Sequence, residues 1–269
     1  MMQERLLRST IDFSFRHPLA LKIVLQVDDS RVFALLRDRV PVRLAPFRRA
    51  LFTRAFTHFI EGEEIALLTA RGLIALAPDE RGRRFLRNQT CDEVRHRDHF
   101  RTRLAAFGLY RPELAQSQLS PHFRAMRQMI EERLAAGDFA AGILSNNLML
   151  EGLAYNLIAE ACPDLRANSQ ELTQFLDVVL PDEKMHVGYG ERMLPRLVAS
   201  GRIQSDALLD YYYRFHFHLL ASLDDLGEVM ESMSIDVPAM SRRMTAYYEA
   251  QLQAAGLLPQ KETVGVGPV

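Results

Sequence analysis

Asp92-Glu93-Val94-Arg95-His96 and Asp182-Glu183-Lys184-Met185-His186 are near-copies of one pattern. In each, a glutamate and a histidine stand three positions apart, so on a helix both side chains leave the same face. Each copy also has a lone glutamate upstream, Glu63 for the first and Glu151 for the second. Four ionised carboxylates buried together without partners would cost more than the stability margin of a typical fold. Two divalent cations would balance them in formal charge, and two neutral imidazoles would complete the shells. Mixed oxygen and nitrogen donors suit iron or manganese, and suit calcium or a thiolate-type zinc site much less.

Such a site needs elements that bring distant residues to one level. Glu63 precedes Glu93 by 30 positions, and the midpoint is the turn signal Pro78-Asp79. Folding there gives two helical arms of about 22 Å at 1.5 Å per residue, with Glu63 facing Glu93. Glu151 and Glu183 are 32 apart, with a midpoint at Ala167. Two helical hairpins packed antiparallel would therefore form a four-helix bundle in which six side chains converge. The alternative, helix-surface ion pairs, requires the doubled spacing to be accidental.

The faces agree with burial. Phe56, Ile60, Glu63, Leu67 and Ala70 form one stripe; Leu86, Gln89, Glu93, His96, Phe100 and Leu104 form a second. Leu144, Asn147, Glu151, Tyr155 and Ile158 form the third, and Leu176, Val179, Glu183, His186 and Met193 the fourth. In each an acid interrupts a largely apolar face. Glu61 and Glu64 compete with Glu63 but fall about 200° and about 100° round the helix from it.

The whole chain reads as all-α, with apolar residues at three- and four-residue intervals and no convincing two-residue alternation. Helices are predicted from about Pro18 to Arg39, Pro46 to Ala77, Asp79 to Phe107, Pro121 to Ala136 and Phe139 to Ala161. A turn is predicted over Cys162 to Ala167, then helices to Ala199, Ser205 to Met233 and Pro238 to Gly256. One domain over residues 1–259 is expected, its bundle core at about 46–199, with 260–269 a frayed tail. With 269 residues, 48% hydrophobic content and a formal charge of −1, the chain reads as an ordinary globular protein with no field favouring nucleic acid. Arg81-Gly82-Arg83-Arg84 reads as a solvated helix end. Two cysteines, Cys91 and Cys162, make no disulfide framework, and Cys91 reads as a small core residue. No secretory signal or membrane-length apolar run is seen, so a reduced, cytoplasmic setting without membrane contact is expected.

The set Glu63, Glu93-x-x-His96, Glu151, Glu183-x-x-His186 resembles the ferritin-like superfamily of dinuclear carboxylate proteins. Gly62-Glu63-Glu64-x-Ala66-Leu67, Gln89-x-x-Asp92-Glu93-x-Arg95-His96, Glu151-Gly152-Leu153-Ala154 and Asp182-Glu183-x-x-His186-Val187-x-x-Gly190 look like its oxygenase and oxidase branch. That branch includes ribonucleotide reductase small subunits, ligand-binding oxidases and arylamine N-oxygenases. The resemblance covers about residues 50–198 and implies a ferritin-like four-helix bundle with additional N- and C-terminal helices.

It further implies that Glu63, Glu93, His96, Glu151, Glu183 and His186 hold two iron ions, or manganese and iron, and that these are the catalytic residues. Asp92 and Asp182 would each orient an imidazole, the one from the opposite hairpin, and Arg95 would pair with one of these aspartates. The chain departs from its relatives where they carry a radical tyrosine (here Phe100), a threonine (Tyr155), a further histidine (Val179) and a tyrosine (Asn146). It resembles a divergent member.

The expected activity is O2-dependent oxidation of a small organic metabolite by N-oxygenation, hydroxylation or desaturation. Candidate substrate-pocket residues, one turn from the ligands, are Phe59, Ile60, Phe100, Asn147, Tyr155, Val179 and Tyr189. With no flavin or nicotinamide fingerprint, a separate reductase or other electron donor is expected. A homodimer is left open, and His99 is expected at the bundle rim. Pro181 is a candidate kink near the site. The alternatives are a ferroxidase and, if the six residues are accidental, a helical scaffold.

Overall fold

The computed structural model describes residues 46–106, 108–112, 117–168, 170–201, 203–232 and 235–259. Among them every regular element is helical. Helix α1 (Pro46–Leu76) and α2 (Glu80–Ala106) form the first hairpin. Pro78 breaks the run between them, and Asp79 Oδ1 accepts the Gly82 backbone N–H at 2.7 Å, capping α2. A connector leads to α3 (Pro121–Ala135), where Pro121 opens the helix and Ser120 Oγ accepts the His122 N–H. Gly137, at φ 72°, then reverses the chain in a conformation that favours glycine.

Helix α4 is composite. It begins with an α-helical turn, Phe139–Gly142, capped by Asp138, continues as a π-helix, Ile143–Leu150, and ends as an α-helix, Glu151–Asn168. Helix α5 (Gln170–Ala199) completes the second hairpin. The predicted turn over Cys162 to Ala167 is therefore helical. Pro163 did not stop the helix, as Pro181 and Pro195 do not stop α5. Then come α6 (Ser205–Asp225), the short α7 (Gly227–Ser232) and α8 (Val237–Ala254, capped by Asp236). The expected single helix from Ser205 to Met233 is thus interrupted just before Gly227. The predicted helix at 18–39 and the tail at 260–269 lie outside the described residues.

Helices α1, α2, α4 and α5 make the bundle, with α1 against α2 and α4 against α5 as the dominant pairings. Helices α3, α6 and α8 cover the outer face of α4 through Met126, Ile130, Phe215, Met244 and Tyr248. The Tyr248 hydroxyl donates to the Met149 carbonyl at 2.8 Å, tying α8 to the π-helical stretch. On the other side Gly190 lets α5 approach that stretch closely: a Cβ there would fall 2.9 Å from Asn147 Cβ and 3.1 Å from its carbonyl carbon. Tyr211 and Tyr212 of the aromatic run in α6 are core residues. Cys91, expected in the core, is exposed on the outside of α2, two positions from the inward-facing Glu93. None of the described helices is long and apolar enough to cross a membrane.

Candidate metal centre

Six side chains from four helices meet in the bundle core. Glu63 comes from α1, Glu93 and His96 from α2, Glu151 from α4, and Glu183 and His186 from α5. Glu93 and His96 have no exposed surface, Glu183 and His186 are 1% exposed, Glu151 3% and Glu63 8%. The competitors point elsewhere: Glu64 pairs with Arg97 and Arg101, and Glu61 with Arg127.

The six fall into two overlapping groups. Glu63, Glu93, His96 and Glu183 form one, and Glu93, Glu151, Glu183 and His186 the other; in each, one ligating atom per residue lies within 4.8 Å of the rest. Glu93 and Glu183 belong to both because each offers one oxygen to each side. Glu93 places Oε2 3.6 Å from His96 Nδ1 and Oε1 3.4 Å from His186 Nδ1. Glu183 places Oε1 3.1 Å from His96 Nδ1 and Oε2 3.8 Å from His186 Nδ1. Glu63 and Glu151 sit at the two ends, 3.7 Å from His96 and 3.8 Å from His186.

The imidazoles are held crosswise. His96 Nε2–H donates to Asp182 at 3.3 Å, and His186 Nε2–H to Asp92 at 3.4 Å, so each ring is held by an aspartate of the opposite hairpin. A carboxylate can only accept, which fixes the tautomer and turns both Nδ1 atoms inward. Arg95 bonds to both aspartates, at 2.9 Å to Asp92 and 2.6 Å to Asp182, rather than to one.

Electrostatics report the crowding. Burial, added to by the nearby Glu183 and Glu93, pushes the Glu63 carboxyl up to about 8. Burial also drives Glu151 well above the usual carboxylate range, reinforced by Glu93 and Glu183. Burial opposes charge on Glu183 too, but the adjacent His186 and His96 rings outweigh it and hold that carboxyl low. For the imidazoles burial again works against charge, and the surrounding carboxylates overcome it, raising His96 and His186. Both oxygens of Glu93, both of Glu183 and Nδ1 of His186 are sealed from solvent without a well-formed hydrogen bond. Buried atoms of this kind are rarely left so. All five face the shared space between the groups, and they are hard or borderline donors suited to iron or manganese. The donor set fits two such cations.

Three further buried amides join this centre, of which Gln89 and Asn147 lie on the predicted stripes. Gln89 Nε2 and Asn146 Nδ2 both donate to Glu151 Oε1, at 2.8 and 3.1 Å. Asn147 donates to Gln89 Oε1 at 2.9 Å and to the His186 carbonyl at 3.2 Å. Gln89 and Asn147 could be placed there from the sequence, each lying one turn before a glutamate, Glu93 and Glu151, on the same stripe. Asn146 could not, because five residues on an α-helix turn a side chain about 140° away. The π-helix removes that offset: the Glu151 N–H bonds to the Asn146 carbonyl, five positions back.

An apolar cleft of about 90 Å³ reaches Glu63 and Glu151 from the side of α6 and α7, with Phe59, Leu157, Leu223 and Met230 in its walls. Of the pocket residues expected from sequence, only Phe59 lines it. Ile60, Phe100 and Val179 pack instead in an apolar cluster, where Phe100 stacks on Phe59 with ring centres 5.1 Å apart. Asn147 is engaged with Gln89, Tyr155 is half-buried outside the cleft, and Tyr189 stacks on Phe85. His99 belongs to neither ligand group and meets Phe100 edge-on.

No family model and no curated protein matches the chain. Solved structures do share its architecture. A Synechococcus protein with aldehyde deformylating oxidase activity superposes with a TM-score of 0.67 at 18% identity, over 79% of this chain and 92% of its own. A variant of an R2-like ligand-binding oxidase with an aerobically reconstituted Mn/Fe cofactor gives 0.64 at 16% identity, over 85% and 87%. An R2-like ligand-binding oxidase after photoconversion gives 0.63 at 16%, over 85% and 86%. At these identities the likeness establishes the fold, which is the ferritin-like helical bundle expected from the resemblance.

Proposed function

We propose that this ferritin-like bundle is a dinuclear metal oxidase or oxygenase that uses O2 to oxidise a small, largely apolar organic molecule. The observation that carries this reading is the pair of overlapping ligand groups, sharing Glu93 and Glu183, built around buried donor atoms that hydrogen bonding leaves unsatisfied. Glu63 and His96 would hold one cation, Glu151 and His186 the other, and Glu93 and Glu183 would bridge them. A reduced iron pair, or manganese with iron, would supply electrons and open coordination sites for O2.

The protein's part is positioning and exclusion. Asp182 and Asp92 keep the ring nitrogens aimed inward, and the bundle seals the centre from water on the histidine side. The apolar cleft leads to Glu63 and Glu151, so a substrate lying against Phe59, Leu157 and Met230 would present its reactive end there. N-oxygenation, hydroxylation and desaturation all suit that placement. The deformylating activity named for the Synechococcus neighbour adds apolar aldehydes to the substrates worth testing. Electrons would come from a separate donor.

The test begins with metal analysis of the purified protein. Metal-free protein is then loaded anaerobically with Fe(II), exposed to O2 under optical monitoring, and offered a panel of apolar amines, hydrocarbons and aldehydes. Stoichiometric binding of a metal pair with substrate-dependent O2 uptake supports the proposal. Mineralisation of excess iron without an organic product would mark a ferroxidase. Absence of stoichiometric iron or manganese would mark a scaffold.

A further inference from the structure

We infer that Gln89, Asn146 and Asn147 make the two cation positions unequal, with the Glu151 position rigid and tight and the Glu63 position adaptable and weaker. The inference rests on the dinuclear reading above and extends it to which end of the centre can rearrange.

Glu151 Oε1 accepts two amide N–H bonds, so only Oε2 is left to meet a cation. The amides cannot reverse cheaply. If Gln89 flipped, its carbonyl oxygen would face the Glu151 carboxylate and its NH2 group would face that of Asn147. Asn147 is in turn anchored to the His186 carbonyl, so the chain of bonds runs from one ligand of this position to the backbone of the other. Gln89 is 1% exposed and both asparagines are fully buried, leaving no water to replace a broken bond. Swinging Glu151 from one-oxygen to two-oxygen coordination would break both of its bonds together.

Glu63 is held differently. Its polar neighbour is the His96 ring at 3.7 Å, and among the described residues no amide donor holds its carboxylate. The nearby guanidiniums of Arg97 and Arg101 are turned to Glu64 instead. Its side chain is 10% exposed and borders the cleft. Glu63 can therefore change its mode of coordination, or make room for an incoming ligand, without breaking a buried amide bond. An outside ligand arriving through the cleft attaches at the Glu63 cation.

The experiment titrates the metal-free full-length protein with Mn(II) by calorimetry and with Co(II) by ligand-field absorption. The wild type should bind in two separable steps. Gln89→Met and Asn146→Ala should each weaken the tight step by roughly 10- to 100-fold, as loss of supporting hydrogen bonds does at other metal sites. Glu63→Gln should abolish the weak step and spare the tight one. Azide should change the Co(II) spectrum only after the second equivalent has been added. If Gln89→Met does not fold, Asn147→Leu cuts the same chain of bonds one link further away. Failure of the wild type to bind either ion overturns the dinuclear reading itself. Binding of two ions with equal affinities, with both steps shifted alike by Gln89→Met, or with azide responding at the first equivalent overturns the clamp alone.

Discussion

Arg95 bonds to Asp92 and Asp182, and each of those aspartates orients one ring, so one guanidinium supports both histidines. Asp92→Asn should weaken one cation position and Asp182→Asn the other, each by roughly 10- to 100-fold, whereas Arg95→Met should weaken both by less. Competition against a chromophoric chelator measures all three. A second residue-scale prediction concerns His58. Its Nδ1–H donates to the Arg54 carbonyl at 2.8 Å, and its Nε2 accepts the Ser120 N–H at 3.1 Å. Burial holds this histidine below its ordinary value of 6.5, outweighing the bond to the Arg54 carbonyl that favours the charged ring. A depressed pKa in the fold means its stabilising contribution is present above about 6.5 and is lost as pH falls below it. His58→Gln should therefore flatten the decline in melting temperature between pH 7 and 5, followed by circular dichroism. The six central side chains were legible in the sequence because four of them carry the three-residue helical spacing, in two copies. His58 was not, since its partner Ser120 lies in a connector whose path no periodicity encodes.

At the scale of elements, the π-helical stretch of α4 decides how much of the centre could be foreseen. Counting by 3.6 placed Glu151 inward because the α-helix resumes at that residue, but the same counting turned Asn146 away from it. The π-helix is fitted to its neighbours at Gly190 and Tyr248. Gly190→Ala would put a methyl group against Asn147 and Leu148 at 2.9 and 3.0 Å, with backbone at 3.1 Å. Overpacking of this kind should cost about 1–3 kcal/mol in denaturant unfolding. It should also displace Asn147 and loosen the tighter metal step, which separates it from an ordinary core substitution. The hairpin turns were partly legible: Pro78-Asp79 ended α1 as read, whereas the turn expected over Cys162 to Ala167 is helical.

At the scale of the whole molecule, the cleft belongs to no single element. Its floor is the pair α1 and α4, which carry Glu63 and Glu151, and its far wall comes from Leu223 and Met230 on α6 and α7. The expected pocket residues lie one turn either side of each candidate ligand, a range that includes Phe59 but not the cleft wall contributed by the C-terminal helices. Their packing depends on tertiary complementarity that spacing does not express. Met230→Trp should fill the cavity of about 90 Å³. Substrate-dependent O2 uptake should then fall while metal content stays at the wild-type level, a separation that assigns the loss to access rather than to the centre.

The crosswise bonds have one further consequence. Asp92 on α2 reaches a ring carried by α5, and Asp182 on α5 reaches a ring carried by α2. Sliding one helix past the other by a single residue would move each aspartate about 1.5 Å along the axis relative to its ring, stretching both bonds beyond useful length together. The axial register of the two hairpins and the aim of the imidazoles are thus one variable. Whatever aims the imidazoles also fixes how the halves of the bundle are aligned.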